Sequence, residues 1–154
     1  MSTRETLIER LNTVLSWELA GTIQYLQGAA LVTGSMCSVY ADFLQEGSKE
    51  ARGHAEDVAS RIVALGGVPT VEPAAIRTST SLEGILDNAL ALEEAALAAW
   101  EAALEASDGA ALGIGFWIEE MIAEEQEHVD ELRKITGRTG VHVNVAGDAG
   151  SQSA

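Results

Sequence analysis

A glutamate and a histidine stand three residues apart within a long apolar periodicity near the C-terminal end of the chain. Glu125 and His128 occur in the run Glu-Glu-Gln-Glu-His, and residues three apart on an α-helix project from the same face. The other members of that face are apolar at helical spacing: Ile118, Met121, Ile122, Leu132 and Ile135. Burying a carboxylate and an imidazole in such a stripe is costly unless something pairs with them. The spacing therefore predicts that this pair shares a partner.

Three further segments each place a polar residue in the middle of an apolar seam, namely Glu18, His54 and Glu93. In a bundle of helices of similar length, the midpoints meet at one level. Unpaired buried carboxylates would repel one another and lose their charge, whereas bound cations remove that cost. Carboxylates and imidazoles on facing helices form the donor set of a di-metal carboxylate centre. For any one of these residues alone, a core position with a local partner explains the pattern equally well.

The elements that must position these residues are four long helices, predicted over about 4–32, 38–65, 82–106 and 110–135. The irregular stretch 66–81 contains both prolines and is long enough to cross the height of a bundle, which predicts that the second and third helices run parallel. The sequence thus predicts an all-α four-helix bundle over 1–136. Residues 137–154 form a Gly-rich tail that we expect to be flexible, with a solvated His142; alternatively, its alternating stretch 141–145 packs on a neighbour in an assembly.

Composition restricts the classes of partner. The chain carries 24 acidic and 9 basic residues, a formal net charge of −15, which argues against nucleic acid as a partner. This charge is compatible with cations, although many acidic proteins are simply soluble. No apolar run reaches membrane-spanning length, so no membrane partner is expected. A single cysteine, Cys37, excludes an internal disulfide and favours a reducing, cytoplasmic location.

Taken in order, these segments resemble the bacterioferritin-type members of the ferritin-like di-iron superfamily. The resemblance covers about residues 5–136. Its residues are Trp17-Glu18-Leu19 with Tyr25, Gly53-His54-Ala55-Glu56, Leu65-Gly-Gly-Val-Pro69, Leu90-Ala-Leu-Glu93 and Glu125-Gln-Glu-His128. It implies a ferritin-like fold with a long crossover between the second and third helices, and a homo-oligomeric cage.

The resemblance also implies a ferroxidase centre that binds two iron ions per chain. Glu18 and His54 would be terminal ligands of one iron, and Glu93 and His128 of the other, with Glu125 as the bridge. Tyr25 would be the redox-active or hydrogen-bonding tyrosine near the metals; a plain core aromatic is the alternative for that residue. Dioxygen or hydrogen peroxide would be the oxidant. In the family, the positions that match Glu46 and Glu50 face the cage interior and bind iron there, which is the role that the resemblance implies for these two residues; the alternative is that they are solvated acids.

Three departures from the family pattern matter. Ala51 stands where the family has a second bridging glutamate, so a hydroxide or Glu50 would have to fill the gap, or the second metal binds weakly. Arg52 stands where the family has a haem-ligating methionine, so no haem is predicted. The Gly-rich end replaces the expected short fifth helix, which puts the family's usual cage in doubt.

The predicted function is therefore Fe(II) oxidation with storage of ferric iron. Two alternatives stay open: a non-storage di-metal oxidoreductase such as a rubrerythrin-like peroxidase, and a structural cage subunit whose centre is impaired by Ala51.

Overall fold

The computed structural model of the chain describes residues 2–141 and residue 143. It contains four α-helices: α1 (Thr3–Leu31), α2 (Cys37–Ala64), α3 (Leu82–Ala106) and α4 (Leu112–Ile135). The predicted four-helix architecture is confirmed, and the largest shift of a boundary is at α4, which begins two residues later than predicted. The predictions for His142 and for most of the tail lie outside the described residues, so the predicted division at residue 136 stays a prediction.

Local sequence signals account for the helix ends. Ser2 caps α1 through a capping box in which its hydroxyl accepts from the Glu5 N–H and the Glu5 carboxylate accepts from the Ser2 N–H. Ser81 caps α3 by accepting from the N–H of Gly84. Behind α2, Gly66 adopts φ +84°, a left-handed conformation that ends a helix at little cost because glycine has no Cβ.

The connection from α2 to α3 runs along α1, and α1 holds it by hydrogen bonds. In chain order these join Asn12 to Val68 and Thr70, Ser16 to Ala74, and Gln24 to Arg77. Because both partners advance together, the crossover runs in the direction of α1 and delivers α3 to the C-terminal end of α1, where Ile85 packs against Gly28. α2 returns antiparallel to α1 after a short loop, so α2 and α3 are parallel, as predicted.

The core consists of two apolar clusters with a polar layer between them. The first cluster, which we call the Trp100 cluster, contains residues such as Leu11, Ile62, Trp100 and Ile118. The second, the Tyr25 cluster, contains residues such as Tyr25, Leu44, Leu90 and Leu132. Each helix contributes to both clusters, and the stretch of helix between them carries the buried polar side chains Glu18, His54, Glu93 and Glu125. The fold therefore places the candidate ligands at mid-height, away from either end of the bundle.

Candidate metal centre

The five mid-helix residues singled out in the sequence converge in two overlapping groups. Glu18, His54 and Glu125 form one group, here called the first half-site, and Glu93, Glu125 and His128 form the second half-site. Within each group, one potential ligand atom of every residue lies within 4.8 Å of the others. Glu125 belongs to both groups and is only 1% exposed. The arrangement is thus a pair of three-residue clusters that share one central carboxylate.

The two imidazoles face each other across Glu125. Nδ1 of His54 lies 3.0 Å from Oε1 of Glu125 and 3.5 Å from Oε1 of Glu18. Nδ1 of His128 lies 3.8 Å from Oε2 of Glu125. The rings are stacked, with centroids 6.2 Å apart and an interplanar angle of 16°. Both histidines therefore turn Nδ1 towards the shared carboxylate and Nε2 away from it.

Two buried polar atoms at the centre lack a hydrogen-bond partner. Within the described part of the chain, these are Nδ1 of His54 and Oε2 of Glu125. Nδ1 of His54 is close to Glu125, but the orientation of the groups does not make a hydrogen bond. Buried polar atoms are rarely left without a partner, and a cation between them would supply one. Carboxylate and imidazole donors suit iron and similar divalent metals, so these residues fit a metal pair.

An aromatic donor from a neighbouring helix holds each terminal glutamate. The indole Nε1–H of Trp100 donates to Oε1 of Glu18 at 3.0 Å, and the Tyr25 hydroxyl donates to Oε1 of Glu93. Tyr25 fits because α2 has Gly47 beneath its ring, where an added Cβ would come within 2.9 Å of the ring. Trp100 is not among the site residues predicted from the sequence.

Beyond each imidazole lies a second carboxylate. Oε2 of Glu124 lies 3.1 Å from Nε2 of His54, and Oε2 of Glu50 lies 2.9 Å from Nε2 of His128. We call Glu124 and Glu50 the outer carboxylates. Glu124 is not among the ligands predicted from the sequence. Glu50 is predicted as a substitute bridge or an interior iron ligand, and the structure places it on the outer edge of His128.

The residues of the centre form an internal repeat in the sequence. Glu18 and Tyr25 recur as Glu93 and Trp100, 75 residues later, while Glu50, Ala51 and His54 recur as Glu124, Glu125 and His128, 74 residues later. The α1–α2 and α3–α4 hairpins thus contribute matching sets of residues, and the terminal glutamate of each hairpin accepts a hydrogen bond from an aromatic residue of the other hairpin. Two sequence signals could have identified the residues that were missed. Trp100 is an aromatic residue seven positions after a glutamate, and Glu124 is a glutamate four positions before a histidine.

Ala51 is the position at which the repeat fails. It corresponds to the shared Glu125, yet its methyl group is buried against α1, where a Cβ added to Gly21 would lie 3.2 Å from the Ala51 Cβ. One hairpin therefore brings a central carboxylate and the other brings none. The internal repeat and the family resemblance therefore both identify Ala51 as the position where a second bridging carboxylate is missing.

A cavity of about 170 Å³ adjoins the second half-site. Acidic side chains are prominent in its wall: Glu46, Glu50, Glu93 and Glu131. Glu46 does not reach the centre; it is exposed and pairs with Lys49 at 3.5 Å. His128 and Tyr25 also line this cavity, so the second half-site has a polar approach.

Burial and mutual charge shift the protonation of the central groups. Burial raises the pKa of Glu18 to about 7, and burial together with the Glu125 charge raises the pKa of Glu93 well above its usual range. Burial would also raise the pKa of Glu125, but interactions with His128 and His54 outweigh it and lower that pKa. Burial and the neighbouring Glu93 raise the pKa of Tyr25, so its hydroxyl stays a donor.

The pKa values of the two histidines are raised, although burial alone would lower them. Burial lowers the pKa of His54, but the carboxylates of Glu125 and Glu18 overcome this and raise it to about 11. Glu125 raises the pKa of His128 to about 9 against the opposing effect of burial. Without a metal, the centre therefore carries bound protons, and a metal must displace them.

The comparison with protein families identifies the class. The model of the ferritin-like domain matches residues 8–140. The chain therefore belongs to the ferritin-like family, and the predicted bacterioferritin-type relationship is confirmed by the relatives described next. No helix in the described residues is long and apolar enough to cross a membrane.

Three solved structures illustrate this relationship. A ferritin-like di-iron-carboxylate protein from Bacillus anthracis is 30% identical, with a TM-score of 0.84, and the match covers 88% of this chain and 99% of that one. The bacterioferritin of Rhodobacter capsulatus, which has a metal-free dinuclear site and haem iron, is 26% identical (TM-score 0.77; 87% and 85% covered). A dodecameric thioferritin, the bacterioferritin-related protein of Bacteroides fragilis, is 26% identical (TM-score 0.78; 88% and 86% covered). The search of curated proteins found no match.

Proposed function

We propose that this protein binds two Fe(II) ions at the centre, oxidises them with dioxygen or hydrogen peroxide, and stores the ferric product in a homo-oligomeric cage. The observation that carries the proposal is the pair of half-sites that share the buried Glu125. Glu18 and His54 would be the terminal ligands of one ion, and Glu93 and His128 those of the other. Glu125 would lie between the two ions and set their separation.

Charge explains why such a pair would bind and why the sites would differ. Two Fe(II) ions bring four positive charges, and the three carboxylates of the half-sites supply at most three negative ones. The protons held by the histidines and by Glu18 and Glu93 leave on binding, because the metal takes their place. Ala51 supplies no further anion. We therefore expect the second ion to bind more weakly than the first.

Oxidation of the two Fe(II) ions by dioxygen requires two protons, and the centre holds protons that can meet this need. Two Fe(II) give up two electrons, and dioxygen takes up these electrons and two protons to form hydrogen peroxide. Protons displaced from the imidazoles and carboxylates are available at the same place. Trp100 and Tyr25 would keep Glu18 and Glu93 oriented towards the ions through the hydrogen bonds described above. In this role, Tyr25 is a hydrogen-bond donor beside the reacting metals.

The cavity beside the second half-site, with Glu46 and Glu50 in its wall, would lead Fe(II) to the centre and product away from it. The Bacteroides fragilis relative is a dodecamer, which supports a closed assembly for this chain. We further propose a cytoplasmic location, since the lone Cys37 suits a reducing compartment.

We propose that this chain does not ligate haem through α2, although the Rhodobacter capsulatus relative contains haem iron. Arg52 occupies the position of the family's methionine ligand. It is exposed, and its Nε lies 3.2 Å from Glu56. A guanidinium stays protonated and has no lone pair to offer iron.

An anaerobic Fe(II) titration of the metal-free protein, followed by a pulse of air, tests this function. Saturation near two ions per chain, with ferric absorbance developing faster than in buffer, is the expected result. Continued uptake of many ions without precipitation would support storage. Rapid turnover of peroxide without mineral would identify a peroxidase instead. Saturation near one ion, or oxidation no faster than in buffer, would show that Ala51 has impaired the centre.

A further inference from the structure

The outer carboxylates have no part in the ligand sets above, although each lies against a ligand. Nε2 of His54 faces Glu124 and Nε2 of His128 faces Glu50, at 3.1 and 2.9 Å. A neutral imidazole has one N–H donor and one lone pair, so the hydrogen bond made by one nitrogen fixes the role of the other. When Nε2–H is donated outwards, the neutral, metal-binding form of the imidazole has its lone pair on Nδ1, on the side of the shared Glu125.

We propose that Glu124 and Glu50 are positioning residues, each of which holds the imidazole of the opposite hairpin with Nδ1 directed at the metal. The assignment is crossed: Glu124 on α4 orients His54 on α2, while Glu50 on α2 orients His128 on α4. The two contacts lie at matching positions of the internal repeat: Nε2 of His54 and Oε2 of Glu124 form a hydrogen bond, and Nε2 of His128 and Oε2 of Glu50 form an ion-pair contact. The inference rests on the proposed metal centre and adds two residues to it.

This role also explains the position of Glu50. Its carboxylate lies at the Nε2 edge of His128, whereas the shared Glu125 lies at the Nδ1 edge. In this arrangement Glu50 does not replace the bridge missing at Ala51. It orients the histidine of the half-site that adjoins the acidic cavity. The loss of the bridge and the presence of Glu50 are therefore separate features of the centre.

The crossed arrangement predicts selective effects. Hydrogen-bond partners of ligating histidines typically contribute about 10–100-fold in metal affinity. Since the side chains of Glu124 and Glu50 are 58% and 43% exposed, solvent competes for both contacts with the histidines. We expect losses near the lower limit, about 10-fold. Glu124→Ala should weaken only the first half-site and Glu50→Ala only the second.

Zn(II) binding to the metal-free protein tests the assignment without any redox step. Calorimetric titration gives the two affinities, and ¹⁵N spectra of histidine-labelled, Zn(II)-loaded protein report which ring nitrogen is bound and how fast each Nε2–H exchanges. In Glu124→Ala, the Nε2–H of His54 should exchange faster while that of His128 is unchanged. Glu124→Gln, whose amide oxygen can still accept, should restore most of the affinity. Glu127→Ala removes the same charge from an exposed position of α4 and serves as the matched control.

Three results would overturn the inference. One is Glu124→Ala with both affinities within twofold of the parent protein. Another is an equal loss in Glu127→Ala, which would indicate a general charge effect. The third is a parent protein that binds no stoichiometric Zn(II), which would remove the metal centre itself and the proposed function with it. Normal binding by the parent with no selective change in the variants would count against the positioning role alone.

Discussion

The two half-sites are built from the same residue types but differ in their surroundings. The first half-site lies against the Trp100 cluster, and Trp100 itself is fully buried and packed edge-on against Trp117. The second half-site lies beside the acidic cavity, and its histidine side chain is 24% exposed against 11% for His54. One half of the centre is therefore enclosed by apolar packing, and the other has an approach through acidic side chains.

This difference suits the proposed function, which requires the centre both to oxidise metal ions and to exchange them. An enclosed half-site with a rigid indole donor favours a fixed geometry and slow loss of its ion. A half-site next to a cavity favours exchange. The shared Glu125 couples them, since both half-sites depend on a single carboxylate. The following substitutions test how far the enclosed and the open half-sites behave as separate units.

Removing the shared carboxylate should have the largest effect. In Glu125→Ala, both half-sites lose a ligand, and both metal affinities should fall by more than about 100-fold, beyond the range typical of changes outside the ligands. Zn(II) titration and the rate of Fe(II) oxidation measure the loss. Glu127→Ala is the control for charge. A variant that still bound one Zn(II) with the parent affinity would show that the half-sites are independent of Glu125.

Removing the aromatic donors should destabilise the enclosed half more than the open one. Trp100→Phe leaves Glu18 without its indole donor and creates a small void in a fully buried position, for an expected loss of about 2–4 kcal/mol in the free energy of unfolding. Tyr25→Phe removes only the hydroxyl that bonds Glu93, for about 1–2 kcal/mol. Urea unfolding of the metal-free variants gives both values. Trp117→Phe, which leaves the Trp100–Glu18 bond in place, should cost less than Trp100→Phe; equal costs would contradict the argument.

Restoring the missing carboxylate should make the half-sites more alike. Ala51→Glu places a second acid at the position that repeats Glu125, opposite Gly21 of α1, which has no side chain. We expect the weaker of the two metal ions to bind about 10-fold more tightly, because a further carboxylate balances the remaining positive charge. Ala51→Gln has nearly the same shape without the charge and should not reproduce the gain. Weaker binding in Ala51→Glu would mean that the added side chain cannot reach the metals.

The pH dependence of stability should reverse on metal binding, so that melting temperature changes with pH in opposite directions in the metal-free and metal-loaded protein. Folding raises the pKa of Glu18 from 4.5 to about 7, of His128 from 6.5 to about 9, and of His54 from 6.5 to about 11. The metal-free folded state thus binds more protons than the unfolded state, so its stability falls as pH rises from 5 to 9. The histidine contribution is complete below pH 6.5 and is lost as pH passes through about 9 and about 11.

Zn(II)-loaded protein should behave in the opposite way. The metal takes the place of the protons, so the unfolded state then binds more of them, and stability rises with pH up to about 7. Melting curves at several pH values, with and without Zn(II), measure both slopes. Identical slopes for the two forms would show that metal and protons do not compete for the same groups.

How far the sequence determines this centre depends on the type of residue. The bundle, its crossover and the convergence of the five buried polar residues follow from helical periodicity, because a charged group in an apolar seam is conspicuous. Glu124 is not conspicuous, since it is one exposed acid among 24 acidic residues. Its contact with His54 depends on how α2 and α4 face each other. From the sequence alone Trp100 is predicted to be an ordinary core residue, because only the structure shows that its indole nitrogen lies next to Glu18.

Glu50 illustrates the same limit in another way. The sequence places it next to Ala51 and suggests that it could replace the missing bridge, but the direction of its side chain depends on the helix rotation. The structure turns it to the far edge of His128. Adjacent residues on a helix differ by about 100° in direction, so being next to the missing ligand does not place a side chain in the same part of the site.

The crossover has an evolutionary consequence. Two identical hairpins that associated as separate chains would carry every substitution twice, so a carboxylate lost from one would be lost from both. Joining the hairpins by the segment that runs along α1 gives each copy its own codons. Ala51 and Glu125 can then differ, and so can the tyrosine and tryptophan that bind the terminal glutamates. Covalent linkage of the two halves thus permits a symmetric scaffold to evolve an asymmetric centre.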